Sequence, residues 1–380
     1  MTASPGLRDV VAQWGRIGLT GFGGPPAHIA LLRELCVDRK WWLTAREFED
    51  AVATCNLLPG PASTQLAIFC AWRVAGPIGA VVGGAAFILP GLAVILALAA
   101  VFLAGSPPNW VRGVGAGAGA AVAAVAVRAG TGLAPESWRR SPAHGRWILY
   151  ALAGGIAAAT VGPWLVLVLL GCGVIEVACQ SAGRDGRVSV QLWPLAATAA
   201  TATGGVLALV WVAFKVGALA YGGGFVIIPL MQADAVDTYH WMTSTEFLNA
   251  VALGQITPGP VTQTVAVVGY AAYGVGGGLL ASLVAFAPSF SFVLLGAKRF
   301  GAVRENAYVR AFLDGAGPAA IGAIIGAAIP LALALGEAWQ FGVLAAAAIA
   351  LLVLRRSVVT TLIVAGVIGA VAALVGVPLP

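Results

Sequence analysis

Charge is scarce in this sequence: only 9% of its 380 residues are Asp, Glu, Lys or Arg. Soluble domains carry about 25%, and a surface so poor in charge does not stay in water. A soluble enzyme or binding module is excluded on that ground. Histidine is nearly absent, with three residues, and the acids are not clustered, so no metal centre or acid–base constellation can be assembled from the pattern. No P-loop, H-E-x-x-H or G-x-S-x-G motif is present. The five cysteines show no C-x-x-C spacing and read as packing residues. Alternating strand patterns are missing, which argues against a β-barrel. Arg8 and Asp9 precede any apolar core, so the start reads neither as a cleavable signal peptide nor as a myristoylation motif.

What fills the chain is apolar. Sixty per cent of residues are hydrophobic and the mean hydropathy is +0.93. Glycine (51) and proline (21) are frequent, as in transmembrane helices. The expectation is an all-α polytopic protein of the inner (plasma) membrane. The bilayer is then its principal partner, and the net charge of +6 reports topology and anionic lipid rather than nucleic acid. No cofactor and no metal are expected. The oligomeric state is open, a homodimer being one arrangement.

An internal repeat organises the chain. Displaced by 199 positions, residues 17–90 meet 216–289 without a gap, with 21 of 74 positions identical. Trp42, Thr44, Glu47 and Phe48 fall on Trp241, Thr243, Glu246 and Phe247, and Pro59-Gly60-Pro61 falls on Pro258-Gly259-Pro260. Two homologous halves follow, 1–190 and 191–380. Each holds six apolar segments, beginning 7–32, 47–72 and 78–104 in the first half and 193–231, 246–273 and 275–297 in the second. Loop 33–46 carries Arg33, Arg39, Lys40 and Arg46, whereas its counterpart 232–246 carries no Lys or Arg. By the positive-inside rule these loops lie on opposite faces, so the halves are expected to be inverted; residues 128–146, with Arg128, Arg139, Arg140 and Arg146, read as another basic loop. Inversion holds if the PGP segment of each half is a re-entrant hairpin. Each half then crosses five times, giving ten crossings, two hairpins and both termini outside. Twelve plain crossings with proline kinks are the alternative.

Helix-breaking sequences recur at four repeat-related places: Gly21 to Pro26 (with Gly23, Gly24 and Pro25), Leu58 to Pro61, Tyr221 to Gly224 (with Gly222 and Gly223), and Thr257 to Pro260. Broken helix is tolerated in a bilayer only where it is buried or lines a cavity. Interruptions at corresponding positions of two inverted halves point to a transporter site at the midplane. Pro61 is followed by Ser63, Thr64 and Gln65, and Pro260 by Thr262, Gln263 and Thr264. Free N–H groups of a half-helix, joined by short hydroxyl and amide donors, make an anion cradle. The plainer alternative is that these side chains only satisfy backbone groups in a kinked helix.

Arg16 and Lys215 align within apolar segments. An intramembrane cation is a functional candidate, and snorkelling to the interface is the alternative. His28 could carry a coupling proton, or be structural. Glu47 and Glu246 follow Thr44 and Thr243 in a T-x-x-E capping box, so helix capping is weighed above proton relay. Glu176 is a weaker coupling candidate. Gly113, Gly115, Gly117 and Gly119 suit close helix packing.

The stretches Gly21-Phe22-Gly23-Gly24-Pro25-Pro26-Ala27-His28-Ile29, Leu57 to Leu66, Phe87 to Pro90 and Thr257 to Pro260 resemble the chromate ion transporter family in its two-domain long form. The resemblance implies efflux of chromate from the cytoplasm and chromate resistance, with sulfate, an isosteric dianion, as a rival substrate. Where the first half has Phe-Gly-Gly-Pro the second has Tyr-Gly-Gly-Gly, so the site is not fully symmetric. A secondary transporter or antiporter is expected, driven by the membrane potential or an ion gradient. A small-oxyanion carrier for sulfate, an anion channel and, least supported, a membrane enzyme are the alternatives.

Overall fold

A computed structural model describes residues 6–56, 58, 60–160, 165–181, 204–220, 225–297 and 306–380. All regular structure among them is helical. In the first half α1 is Leu7–Thr20, α2 Pro25–Arg33, α3 Ala45–Cys55, α4 Ala62–Phe102, α5 Asn109–Ala120, α6 Val122–Arg140, α7 His144–Thr160 and α8 Leu165–Ser181. In the second, α9 is Val206–Leu219, α10 Ile227–Gln232, α11 Ser244–Ile256, α12 Thr264–Gly296, α13 Ala307–Gly326, α14 Ala328–Leu333, α15 Ala338–Ala348 and α16 Val358–Leu374. Four helical stretches are long and apolar enough to cross a membrane: Ala62–Phe102, Asn109–Arg140, Val261–Gly296 and Ala307–Leu333.

Matching elements recur near the repeat offset. A π-helical turn, Glu34–Arg39, follows α2, and another, Ala233–Thr238, follows α10. α3 and α11 start in the same capping box: the Thr44 and Thr243 hydroxyls accept from the Glu47 and Glu246 N–H groups at 3.2 Å. The glutamates in turn accept the threonine N–H groups, at 2.9 and 2.7 Å. Capping is therefore what both glutamates do, because an exposed helix start has donors to satisfy.

α4 and α12 are each two limbs in series. Non-helical angles at Ala75 and Gly76 (φ 64°, ψ −160°) interrupt α4, and at Tyr273 and Gly274 (φ 61°, ψ −154°) they interrupt α12. Only glycine adopts such angles without strain. The chain reverses there. A side chain on Gly79 would meet the Ala71 carbonyl at 2.5 Å, although eight residues of straight helix span about 12 Å. The first limb of α4, Ala62 to Val74, is about 20 Å long. That is too short for a hydrocarbon core of about 30 Å. α3 ends at Cys55, seven residues before this limb begins at Ala62, and packs against α4.

The first segment departs from that reading. Residues 7–32 were expected to cross as one span, but α1 and α2 lie side by side. Gln13 and Arg16 of α1 share a crevice with Glu34 and Arg39 of the π turn. In the second half Lys215 of α9 reaches Asp234 at 2.6 Å, a contact that a straight interrupted helix could not make across 19 residues. The break at Gly21–Gly24 carries too much glycine to continue a helix through lipid, so α1 and α2 fold back on each other. The parity argument for inversion falls away, while the charge asymmetry of the loops stands. A second difference concerns α6. Residues 128–146 were expected as a basic loop, but α6 continues to Arg140, because Arg, Ala, Leu and Glu are good helix formers.

The halves interleave. α13 packs on α7 and α8, where Gly154, Gly322 and Gly326 bring backbones into contact, and α16 packs on α5 through Gly113, Gly117 and Gly369. Gly115 and Gly119 accommodate Asn249 of α11. The expected glycine-rich packing face is thus present.

Candidate functional site

The interrupted tips meet at the centre. The Gly259 N–H donates to the Gly21 carbonyl at 3.2 Å, joining the PGP tip of the second half to the glycine break of the first. Reciprocally, a methyl on Gly60 would lie 3.3 Å from the Gly217 carbonyl and 3.3 Å from Ser289 Oγ, both of the second half. Gly91, near the repeat position of Ser289, lies against Pro258 and Gln263 in the same way. Reciprocal contact of equivalent surfaces is what a two-fold relation produces. Gly23 (φ +100°), Gly24 (φ +73°), Gly60 (φ +116°) and Gly259 (φ +98°) supply the left-handed backbone these tips need.

The half-helix starts stand where the sequence places them. Pro25 opens α2, Pro61 is the N-cap of α4, and Pro260 precedes a 3₁₀ turn over Val261–Gln263 that leads into α12. Proline fits there because its missing N–H would be unpaired anyway. Ser63, Thr64, Gln65, Thr262, Gln263 and Thr264 are all buried. Their engagement differs. Gln263 Nε2 donates to the Ile88 carbonyl at 2.7 Å and Thr264 Oγ1 to the Val261 carbonyl at 2.8 Å. In the first half the Thr64 hydroxyl is buried without a hydrogen-bond partner, as is that of Ser289. Pro59, Gly222, Gly223 and Gly224 lie outside the described residues.

His28 is fully buried. Its Nε2 stands 2.9 Å from the Gly21 carbonyl and its Nδ1 3.2 Å from Ser63 Oγ. A carbonyl only accepts, so Nε2 carries a proton, and Nδ1 shares a hydrogen bond with the Ser63 hydroxyl. The ring therefore ties the two breaks of the first half together. Gly21 has to be glycine, since a Cβ there would sit 2.6 Å from the His28 ring.

The two cations chosen from the sequence do not reach the tips. Arg16 is exposed and lines the crevice beside Glu34 and Arg39. Lys215 is bound to Asp234, with its Nζ 5.8 Å from the centre of the Trp211 ring. Glu176 is likewise engaged: Arg146 grips it with two bonds at 2.7 and 2.9 Å, and Tyr150 and Gln180 add further donors. A carboxylate held in a bidentate pair stays ionised and oriented, which suits a cross-brace between α7 and α8. Glu47 pairs with Arg73 besides its cap.

A cleft of about 940 Å³ opens beside the tips. Gly23, Gly24, Pro25 and Ala62 line it together with Gln255, and Arg33, Arg128 and Arg140 stand along its walls. Sequence reasoning missed Arg128 and Gln255. Arg128 was placed in a loop, although its position in an apolar run followed by helix formers was a usable signal. Gln255 sits on the repeat position of Asn56, which also lines the cleft.

Long apolar helices, interrupted tips meeting between halves and an open cleft beside them define a membrane transport protein rather than an enzyme. The chromate transporter family profile matches residues 8–177 and again 207–376, and the chain belongs to that family. It is 32% identical to a chromate transport protein of Cupriavidus metallidurans, over 97% of this chain and 92% of that one. It is 29% identical to a chromate transport protein of Pseudomonas aeruginosa, over 87% and 82%. Against a probable chromate transport protein of Synechococcus elongatus the figures are 27%, 86% and 84%. No solved structure matches the chain.

Proposed function

We propose that this chain is a multi-pass secondary transporter of the inner membrane that exports chromate from the cytoplasm and so confers chromate resistance. The observation that carries the reading is the meeting of the second half's PGP tip with the glycine break of the first, beside a cleft lined by the starts of α2 and α4. Helix N-termini present unpaired N–H groups at the positive end of the dipole, and Gly60 and Gly259 let the backbone approach an oxyanion closely. Ser63, Thr64, Gln65, Thr262, Gln263 and Thr264, all buried at the starts of these half-helices, are the side-chain donors that would complete the cradle. The names of the relatives supply the substrate class.

The cleft walls carry Arg33, Arg128 and Arg140. By the positive-inside rule that face is cytoplasmic, which makes this an inward-open state, the one in which export begins. An interior-negative potential favours anion exit by about 2.3 kcal/mol per charge per 100 mV, and a dianion gains twice that, so export needs no obligate proton. His28, at the junction of two breaks, is the place where a coupled proton would act. Inverted halves are supported by the opposite charge of loops 33–46 and 232–246. Cysteines placed in the two loops should then label from opposite faces.

The deciding experiment is chromate flux in everted vesicles with an imposed potential. Accumulation when the vesicle interior is positive is the expected result. Accumulation only in right-side-out vesicles would reverse the direction. Sulfate, of the same shape and charge, is the second reading, and competition in proteoliposomes separates the two. Single-channel currents would instead identify a channel.

A further inference from the structure

Five charged side chains line the cleft, and their pairing is uneven. Arg33 faces Glu49 at 3.5 Å and Arg140 faces Glu136 at 3.8 Å. Arg128 makes no ion pair among the described residues, and it is half-buried on the cleft wall, inside α6. Twelve residues separate it from the end of that helix at Arg140, a depth of about 18 Å. Across the same cleft stands Gln255, only 7% exposed, with its Nε2 buried and without a hydrogen-bond partner. Gly23, Gly24 and Ala62, the first residue of α4, line the same cleft.

A half-buried cation without an ion pair and a buried amide donor without a partner are both costly unless a ligand completes them. We infer that Arg128 and Gln255 form the loading position for the transported dianion, where it docks before reaching the buried donors behind the tips. This rests on the proposed transport function and adds the residues that select the substrate's charge. The guanidinium offers two parallel N–H groups to two oxygens of a tetrahedral oxyanion. Gln255, whose Nε2 is enclosed in this state, donates to a third oxygen once its side chain turns into the cleft, and the open start of α4 faces the remainder. Arg33 and Arg140, already matched by carboxylates, only shape the field at the mouth.

The test is binding of radiolabelled chromate to the purified full chain in detergent, alongside flux in everted vesicles. Arg128→Gln should weaken binding at least tenfold and raise KM similarly, with the maximal rate within about threefold. Arg128→Lys, which keeps the charge but loses the fork, should recover part of the affinity. Gln255→Leu should weaken binding about three- to tenfold, and Arg33→Gln should stay within twofold. Wild-type affinity in Arg128→Gln overturns the inference, as does an equal loss in Arg33→Gln. Should Arg128→Gln fail to fold, unchanged binding in both Arg128→Lys and Gln255→Leu overturns it. Sulfate or molybdate bound in an Arg128-dependent way, with no chromate bound, would refute the chromate reading and leave the loading position standing.

Discussion

The two halves share a skeleton and differ in chemistry. Both have paired hairpin arms, a π turn, a capping box and a glycine reversal. Even the left-handed residues correspond, Trp41 and His240 each having φ 51°. The side chains at the tips do not. His28 bridges Gly21 and Ser63, whereas its counterpart is Ile227. Lys215 has a buried partner in Asp234, whereas Arg16 is exposed and Leu35 stands where Asp234 would be. Gln263 donates to the Ile88 carbonyl, whereas Thr64 at its repeat position has a buried hydroxyl without a partner. Backbone geometry is set by glycine, proline and caps, which tolerate little change. Side-chain chemistry at an interface is free to diverge, and a substrate that approaches from one face at a time has no use for two equal sites.

The sharpest way to break this comparison is at the cations. Asp234→Ala leaves Lys215 buried and unpaired, and should cost about 3–5 kcal/mol, read as a lower thermal midpoint in detergent. Arg16→Ala, at the same repeat position as Lys215, should stay within about 0.5 kcal/mol. Comparable losses would mean that Arg16 has a buried role. Next comes His28→Ala, which takes the imidazole partner from the buried Ser63 hydroxyl and one of two donors from the Gly21 carbonyl. It should cost about 1–3 kcal/mol, with a loss of chromate flux. Ile227→Val should cost only about 0.5–1.5 kcal/mol and leave flux unchanged. A similar loss of flux in both would make the tips functionally equal.

Two further substitutions sharpen the shared skeleton. Gly76→Ala and Gly274→Ala each force a side chain into an angle reserved for glycine, in open space. Each should destabilise by about 1–3 kcal/mol, and by the same amount in both halves. A marked inequality in their unfolding midpoints would show that only one reversal bears load. The smallest effect belongs to the caps. Thr44→Ala and Thr243→Ala should each cost about 1 kcal/mol, measured the same way. Glu47 adds an exposed pair with Arg73 worth a few tenths at most.

Much of the site could be read before any coordinates. Proline and glycine announce a break locally, since one lacks a donor and the other lacks a Cβ, so PGP and GFGGPP were visible as tips. T-x-x-E disclosed the caps for the same reason. The reading of residues 7–32 as a single span went astray because hydropathy measures affinity for lipid and carries no information on whether a chain crosses or returns. Arg128 was missed because a charge near the end of an apolar run looks like a loop until the helix is seen to continue past it.

The chain's own composition, repeat and breaker residues determined that it is a helical membrane protein of two related halves with interrupted segments, because those properties arise from local sterics and transfer free energy. Which cation stays unpaired, which amide looks into the cleft and which tip is sealed were decided only in the tertiary structure. Those outcomes depend on helix phase and on contacts such as Gly259 with Gly21, between residues 238 positions apart, whose partners no local pattern names.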